Sequence, residues 1–244
     1  NLNSILSNCE IKDIKRTVDS KKQHRGIDLT IEYGHRKKVN IDEKAAATYF
    51  NKGLPTFALE IFFYNKNNEL KEGWLFGDKY DSTDSYLFIW GENNGKEIFA
   101  DNITKLELCS IKKSVLRQDI EKRFNINKEN YYNICLDKMN SILKNSKNKD
   151  SKEYVKDKKN EAYWKIGNVK ERPFLMIYKK NMLKEICQSW FVVTKEEVKQ
   201  EVKQKGRRDQ LAPASFRSSW DRVSSAWNGL RRCPCRRGRR QPSP

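Results

Sequence analysis

Two carboxylates and one ammonium fall where strand alternation brings them to one face of a predicted hairpin. Residues 27–33 alternate apolar and polar side chains, which places Asp28 on the polar face of a strand. Residues 39–44 do the same for Asp42 and Lys44 on the next strand. With the polar faces on the same side, two hard oxygen ligands and a cation converge. Two carboxylates, a backbone carbonyl and waters are what Mg²⁺ accepts.

Such an ion polarises a phosphate and lowers the pKa of a bound water, while a neighbouring lysine orients that water or stabilises developing charge. The alternative interpretation is a solvated hairpin face, because acids and lysines are ordinary there in a chain that is 34% charged. The chain has only two histidines, His24 and His35, so a histidine-dependent metal site or a Ser-His-Asp triad has almost nothing to work with. Any catalysis is therefore expected from carboxylates and lysine.

Apolar periodicity predicts the elements that must position these residues. The order is a helix, antiparallel strands interrupted by a helix, two helices after residue 112 and a β-α-β unit, which indicates an α/β fold with a mixed central sheet flanked by helices. The other helices are expected at residues 2–18, 45–50, 179–189 and 195–205, and strands at 27–33, 39–44, 56–64, 73–77, 85–92, 103–111, 174–178 and 190–193.

Composition narrows the class of protein. The chain has 244 residues, with 50 Lys and Arg against 32 Asp and Glu, and its net charge of +18 favours a polyanion such as nucleic acid as partner. No run approaches the ~20 apolar residues that a membrane span needs, so no membrane partner is expected. The first residues lack the layout of a signal peptide, and the scattered cysteines fit buried thiols. Both features predict a cytoplasmic protein.

A change in composition predicts the domain boundary. Up to Lys205 the chain has 34 Lys and 6 Arg, whereas residues 206–244 have no Lys and 10 Arg. We expect one α/β domain over residues 1–205, with a motif core at 1–111 and a helical and β-α-β part at 112–205. The Arg- and Pro-rich tail is predicted to be foreign, out of frame or disordered; the alternative is a natural arm that binds nucleic acid.

Asp28 followed by Asp42-Glu43-Lys44, at the ends of adjacent strands with a helix before and after, resembles the PD-(D/E)XK nuclease superfamily, which has the restriction-endonuclease-like fold. The resemblance covers about residues 1–111. It implies a metal-dependent deoxyribonuclease with metal ligands at Asp28, Asp42 and the carbonyl of Glu43, and a catalytic lysine at Lys44. The implied ion is Mg²⁺, with Mn²⁺ as a substitute.

The sequence departs from the superfamily pattern at some positions. Gly26-Ile27 precedes Asp28 in place of the nominal proline, and Glu10 matches the further acidic ligand of some members only loosely. Tyr49 falls where exonuclease-like members carry a Gln-x-x-x-Tyr pattern, but Ala45 stands at the position of the glutamine.

DNA is the expected partner, RNA stays an alternative, and homodimerisation is left open. The basic turn formed by Arg36, Lys37 and Lys38 is a candidate contact to the phosphate backbone, although such a turn is more often only solvated. Glu60 either joins the acidic cluster or pairs with a lysine. Two other function classes stay open: a non-catalytic nucleic-acid-binding protein that keeps the nuclease fold, and an interaction protein whose charge only solubilises it.

Overall fold

The computed structural model describes residues 11–34, 37–145, 155–156 and 162–201, and these residues form twelve strands and four α-helices. The strands are β1 (Ile11–Arg16), β2 (Leu29–Tyr33), β3 (Lys38–Ala45), β4 (Thr56–Tyr64), β5 (Leu70–Glu72), β6 (Ser85–Asn93), β7 (Ile103–Lys112), β8 (Val155–Lys156), β9 (Ala162–Ile166), β10 (Phe174–Lys179), β11 (Ser189–Thr194) and β12 (Val198–Glu201). The helices are α1 (Ser20–Gln23), α2 (Lys113–Phe124), α3 (Tyr131–Asn145) and α4 (Lys180–Ile186).

The strands form two sheets. The larger has seven strands in the order β1-β2-β3-β6-β7-β11-β12, and the smaller has five in the order β5-β4-β10-β9-β8. In the larger sheet β3 and β6 run parallel, and the other neighbouring strands are antiparallel. The prediction of the fold class, α/β with a mixed sheet, is therefore confirmed. The predicted antiparallel meander is wrong, because the chain leaves the larger sheet after β3 to build β4 and β5 before it returns as β6.

The larger of two hydrophobic clusters among the described residues lies between the two sheets and under the helices. Phe57 of β4 packs on Phe88 and Trp90 of β6, with ring centroids 4.7 and 5.4 Å apart. The same cluster contains Leu116 of α2 and Leu183 of α4. Trp74, Tyr86 and Trp90 are all buried and pack in this core.

Both helices predicted after residue 112 are present. α2 follows β7 directly and buries Leu116 and Ile120. It ends at Asn125, whose φ of 56° lies in the left-handed region that asparagine tolerates at a helix C-terminus. The predicted β-α-β unit is also confirmed, as β10, α4 and β11.

Pairing between strands overrides local periodicity at both ends of the described chain. In the predicted helix over residues 2–18, Ile11–Arg16 instead forms β1 and pairs with β2. In the predicted helix over residues 195–205, Val198–Glu201 forms β12 along the free edge of β11. An open strand edge offers a row of unpaired backbone groups, which favours a further strand over an exposed helix. Residues 2–10 and 202–205 lie outside the described residues.

Two shorter predictions are also corrected. The helix predicted from Ala45 shrinks to a single 3-10 turn, Ala47–Tyr49, because Ala45 still pairs with β6 and Asn51 adopts a φ of 63°. Residues 73–77 form a turn after β5, although Gly73 still donates a backbone hydrogen bond to Ile61 of β4. The predicted domain boundary at residue 205 stays a prediction, because residues 202–244, which include the whole tail at 206–244, lie outside the described residues. Within the described part of the chain, no helix is long and apolar enough to cross a membrane.

Candidate active site

The β2–β3 hairpin forms with its polar faces on the same side. The register pairs Thr30 with Asn40, and the Thr30 hydroxyl donates to the Asn40 side chain at 3.0 Å. Asp28 lies one residue before β2, and its carboxylate accepts the backbone N–H of Glu43 at 2.9 Å. The hairpin therefore brings Asp28 to the part of β3 that carries Asp42 and Lys44, as the alternation predicted.

Asp42 lies at the centre of this arrangement. Its strand lies between β2 and the parallel strand β6, and its side chain is only 2% exposed. One carboxylate oxygen, Oδ1, binds the Lys44 ammonium at 2.8 Å. The other, Oδ2, is buried and accepts no hydrogen bond from the described residues. Because a buried acceptor without a partner is costly, Oδ2 is open to a ligand that donates to it or coordinates it.

Gly26 makes room for that oxygen. A Cβ atom on Gly26 would lie 2.9 Å from both Asp42 Oδ2 and the hydroxyl oxygen of Thr83. The Thr83 hydroxyl donates to the Gly26 carbonyl at 2.8 Å, which fixes this turn against the loop before β6. Gly26 also has a φ of +72°, which side chains disfavour. A glycine at position 26 thus has a local steric reason.

Burial and neighbouring charge shift the titration of Asp42. Burial raises the pKa of Asp42 to about 6, against the lowering effect of the Lys44 ammonium. The charge of the neighbouring Asp28 adds to the rise in that pKa. The two acids are therefore close neighbours, which brings together the predicted metal ligands.

Glu60 of β4 is a third acid near this site. Burial raises the pKa of Glu60 to about 7, with Lys44 lowering it and the charges of Glu171 and Asp42 raising it further. The backbone N–H of Trp74 donates to the Glu60 carboxylate. The ring of Trp74 also lies under the Lys44 ammonium, 5.0 Å from centroid to Nζ.

Gly73 allows this approach, because a Cβ atom there would lie 2.8 Å from Glu60 Cγ. The sequence offered a weak signal for Glu60, a lone acid in the apolar strand at residues 56–64. The alternation of side chains in that strand does not predict which residues of the other sheet Glu60 faces.

The side chain of Glu43 points away from this group. Its carboxylate forms a bidentate pair with the Arg16 guanidinium, at 2.7 and 3.1 Å, which ties β1 to β3. The predicted role of Glu43 concerned its backbone carbonyl, and that role stays a prediction. Among the described residues, no group of three or more His, Cys, Asp or Glu side chains is arranged to hold a metal ion. A cation at this site would therefore depend on Asp28, Asp42, backbone and water.

The predicted basic turn lies at the other end of β3. Lys38 begins that strand, four residues before Asp42, which corresponds to about 13 Å along an extended chain. Lys38 pairs with Glu32 at 3.7 Å, and Lys37 is exposed. Arg36 and Glu10 lie outside the described residues. A DNA contact by this turn stays a prediction.

No family model matches this chain, and no curated protein or solved structure matches it. Any proposal about function therefore depends on the residues and geometry of the chain itself.

Proposed function

We propose that this chain is a metal-dependent nuclease that hydrolyses DNA phosphodiester bonds, with the restriction-endonuclease-like arrangement of strands. The observation that carries the proposal is the buried Asp42 with the half-buried Asp28 beside Lys44, with Asp42 Oδ2 left without a hydrogen bond. Asp28, directly before β2, and Asp42 and Lys44 of the adjacent β3 stand in the order and spacing of the D...DxK pattern.

The charge balance of the site supports a need for a cation. Asp28 and Asp42 set two carboxyl groups against the ammonium of Lys44, and Glu60 adds a third negative charge once it is ionised. A phosphodiester would be repelled by such a group, because like charges in a poorly solvated site interact strongly. A divalent cation reverses that repulsion.

The residues fit Mg²⁺, which keeps several waters and takes one or two protein carboxylates. Asp28 and the free Oδ2 of Asp42 would hold the ion, and the carbonyl of Glu43 is the third proposed ligand. Mn²⁺ is the expected substitute. Bound there, the ion would supply Lewis acidity toward a phosphoryl oxygen and toward a water molecule.

Lys44 is fixed for a role in the chemical step. Asp42 Oδ1 and the face of Trp74 hold its ammonium beside the carboxylate that would bind the ion. From this position Lys44 can donate to the attacking water or stabilise negative charge that develops on the phosphate. An interaction that strengthens only in the transition state raises the rate without much effect on affinity.

A nuclease assay with Mg²⁺ and with chelator, on linear, circular and branched DNA, tests the proposal. Lys44→Ala should lower the cleavage rate by about a hundredfold or more, and Asp42→Ala should abolish cleavage. DNA affinity should change by less than about tenfold in either variant. Lys71→Ala is the matched control, because Lys71 also pairs with an acid, Glu69, but lies in the other sheet. Variants that cut like the parent would refute the proposal.

A non-catalytic nucleic-acid-binding protein with the same strands is the second candidate, favoured by the net charge of +18. A parent protein that binds DNA with strong salt dependence, yet cuts no DNA or RNA with any divalent metal, would support it.

A further inference from the structure

A second cleft, next to the proposed active site, collects basic side chains. It has a volume of about 430 Å³ and is bounded by the loop at residues 78–84, the first turns of α2 and the connection from α2 to α3. Lys113 and Arg117, one turn apart on α2, and Lys128 of the connection line it.

Contacts within the protein fix the Arg117 side chain, but one of its N–H donors has no hydrogen-bond partner among the described residues. Its Nε donates to the Leu75 carbonyl at 2.9 Å, and its guanidinium lies 5.6 Å from the ring centroid of Phe76. Its Nη2 atom is buried and makes no hydrogen bond to the described residues. The carboxylate oxygen Oδ1 of Asp81 lies 3.6 Å from Nη2. A fixed guanidinium with a free donor is suited to a planar or tetrahedral oxyanion.

Lys113 shows that positive charge is crowded here. Its side chain is only 7% exposed, and its ammonium donates to the Tyr80 carbonyl at 2.7 Å and to Asp81 at 3.3 Å. Burial lowers the pKa of Lys113 to about 8, and repulsion from Arg117 and Lys128 adds to the effect. Bringing an anion close to these cations would relieve that repulsion.

Acids also line the cleft, so an anion site depends on the unpartnered donor of Arg117 and not on an excess of positive charge. Asp81 is shared between Lys113 and Arg117 and is half exposed, whereas Lys128 pairs with the exposed Asp78. Two further lining acids have other partners, since Asp84 accepts the backbone N–H of Asn40 and Glu121 accepts from Asn127. Glu129, which is exposed, is the remaining acid on the lining. The hydroxyl of Ser114 adds a neutral donor.

The wall of the cleft is also a wall of the active site. The Tyr80 carbonyl binds Lys113, while the charges of Glu60 and Asp42 help burial to raise the pKa of the Tyr80 phenol to about 12. Thr83 of the same loop holds Gly26, which borders Asp42 Oδ2. The loop at residues 78–84 thus borders both the cleft and the group around Asp42.

We propose that the cleft is a phosphate-binding subsite, in which Arg117 and Lys128 contact a phosphate group of the same polynucleotide strand that binds at Asp28, Asp42 and Lys44. The identity of the strand rests on the proposed function. The subsite itself does not require cleavage, so it is tested by binding in the presence of chelator.

Arg117→Gln and Lys128→Gln should each weaken binding of a fluorescently labelled DNA oligonucleotide about three- to tenfold at low salt. Each should also make the slope of log affinity against log salt shallower by about one. Lys71→Gln, which removes a paired lysine from the smaller sheet, should leave both quantities near the parent values. If Arg117→Gln fails to fold, Lys128→Gln still tests the subsite, because the Lys128 side chain is a third exposed.

A second arm uses inorganic phosphate, which should raise the Tm of the parent and of Lys71→Gln but not that of Arg117→Gln. If phosphate stabilisation is lost while DNA binding is unchanged, the cleft takes a free phosphate and the assignment to a strand is overturned. If folded variants bind both probes like the parent, the cluster is only a structural ion-pair network and the proposal is overturned. A parent that binds but does not cut would refute the proposed function while the subsite stands.

Discussion

Glu60 gives a sharp test of the electrostatics, because its effect on stability does not depend on any activity. The pKa of Glu60 is raised from 4.5 to about 7, first by burial. A carboxyl whose pKa is higher in the folded state binds its proton more tightly there. It therefore favours folding at low pH, and that contribution is lost as the pH rises through about 7.

The size of the effect follows from the two pKa values. Each unit of difference is worth about 1.4 kcal/mol once the group is ionised in both states. The ionisation of Glu60 should therefore cost the folded state less than about 1 kcal/mol at pH 5 and about 3 kcal/mol at pH 8. Glu60→Gln removes this cost and keeps an oxygen that can accept the Trp74 N–H.

Thermal unfolding without metal, followed at pH 5 and pH 8, measures the difference. The variant should gain about 2 kcal/mol over the parent between the two pH values, equivalent to roughly 5 °C in Tm for a domain of this size. Glu97→Gln is the control, because Glu97 is exposed. A stability difference between Glu60→Gln and the parent that does not change with pH would refute the reasoning. So would an equal pH effect in the control.

Three further variants test the frame of the site. Gly26→Ala should lower the free energy of unfolding by about 1–3 kcal/mol, because φ is +72° and the new Cβ would meet Asp42 Oδ2, and denaturant unfolding measures this loss. Mg²⁺ should raise the Tm of the parent but not of Asp42→Asn; an equal rise in both would place the ion elsewhere. Arg16→Met should cost about 2 kcal/mol by leaving the Glu43 carboxylate without its partner. Adding Glu43→Leu should restore most of that loss, and failure to do so would show that packing rather than charge holds β1 to β3.

Part of the site follows from local pattern alone. In β2 and β3 the side chains alternate every second residue, so the shared polar face of Thr30, Asn40, Asp42 and Lys44 could be predicted without knowing the rest of the molecule. The same holds for α2, whose apolar residues recur at helical spacing.

Helices were predicted where β1 and β12 form, because the apolar pattern of these segments was compatible with a helix. Only the open edges of the larger sheet decided between helix and strand. The sequence also could not place Glu60, since β4 joins the smaller sheet and reaches Lys44 only across the interface between sheets. Alternation fixes which residues share a face, but not which face of another element they meet.

The sequence by itself determined that two acids and a lysine share one side of a hairpin. Tertiary structure decided their chemistry. It buried Asp42 between β2 and β6, left Oδ2 without a partner beside Gly26, and brought the loop at 78–84 between the acids and the basic cleft. The physical reason is the distance along the chain over which each effect acts. Backbone geometry sets side-chain direction over a few residues, whereas burial and charge balance depend on groups that are distant along the chain.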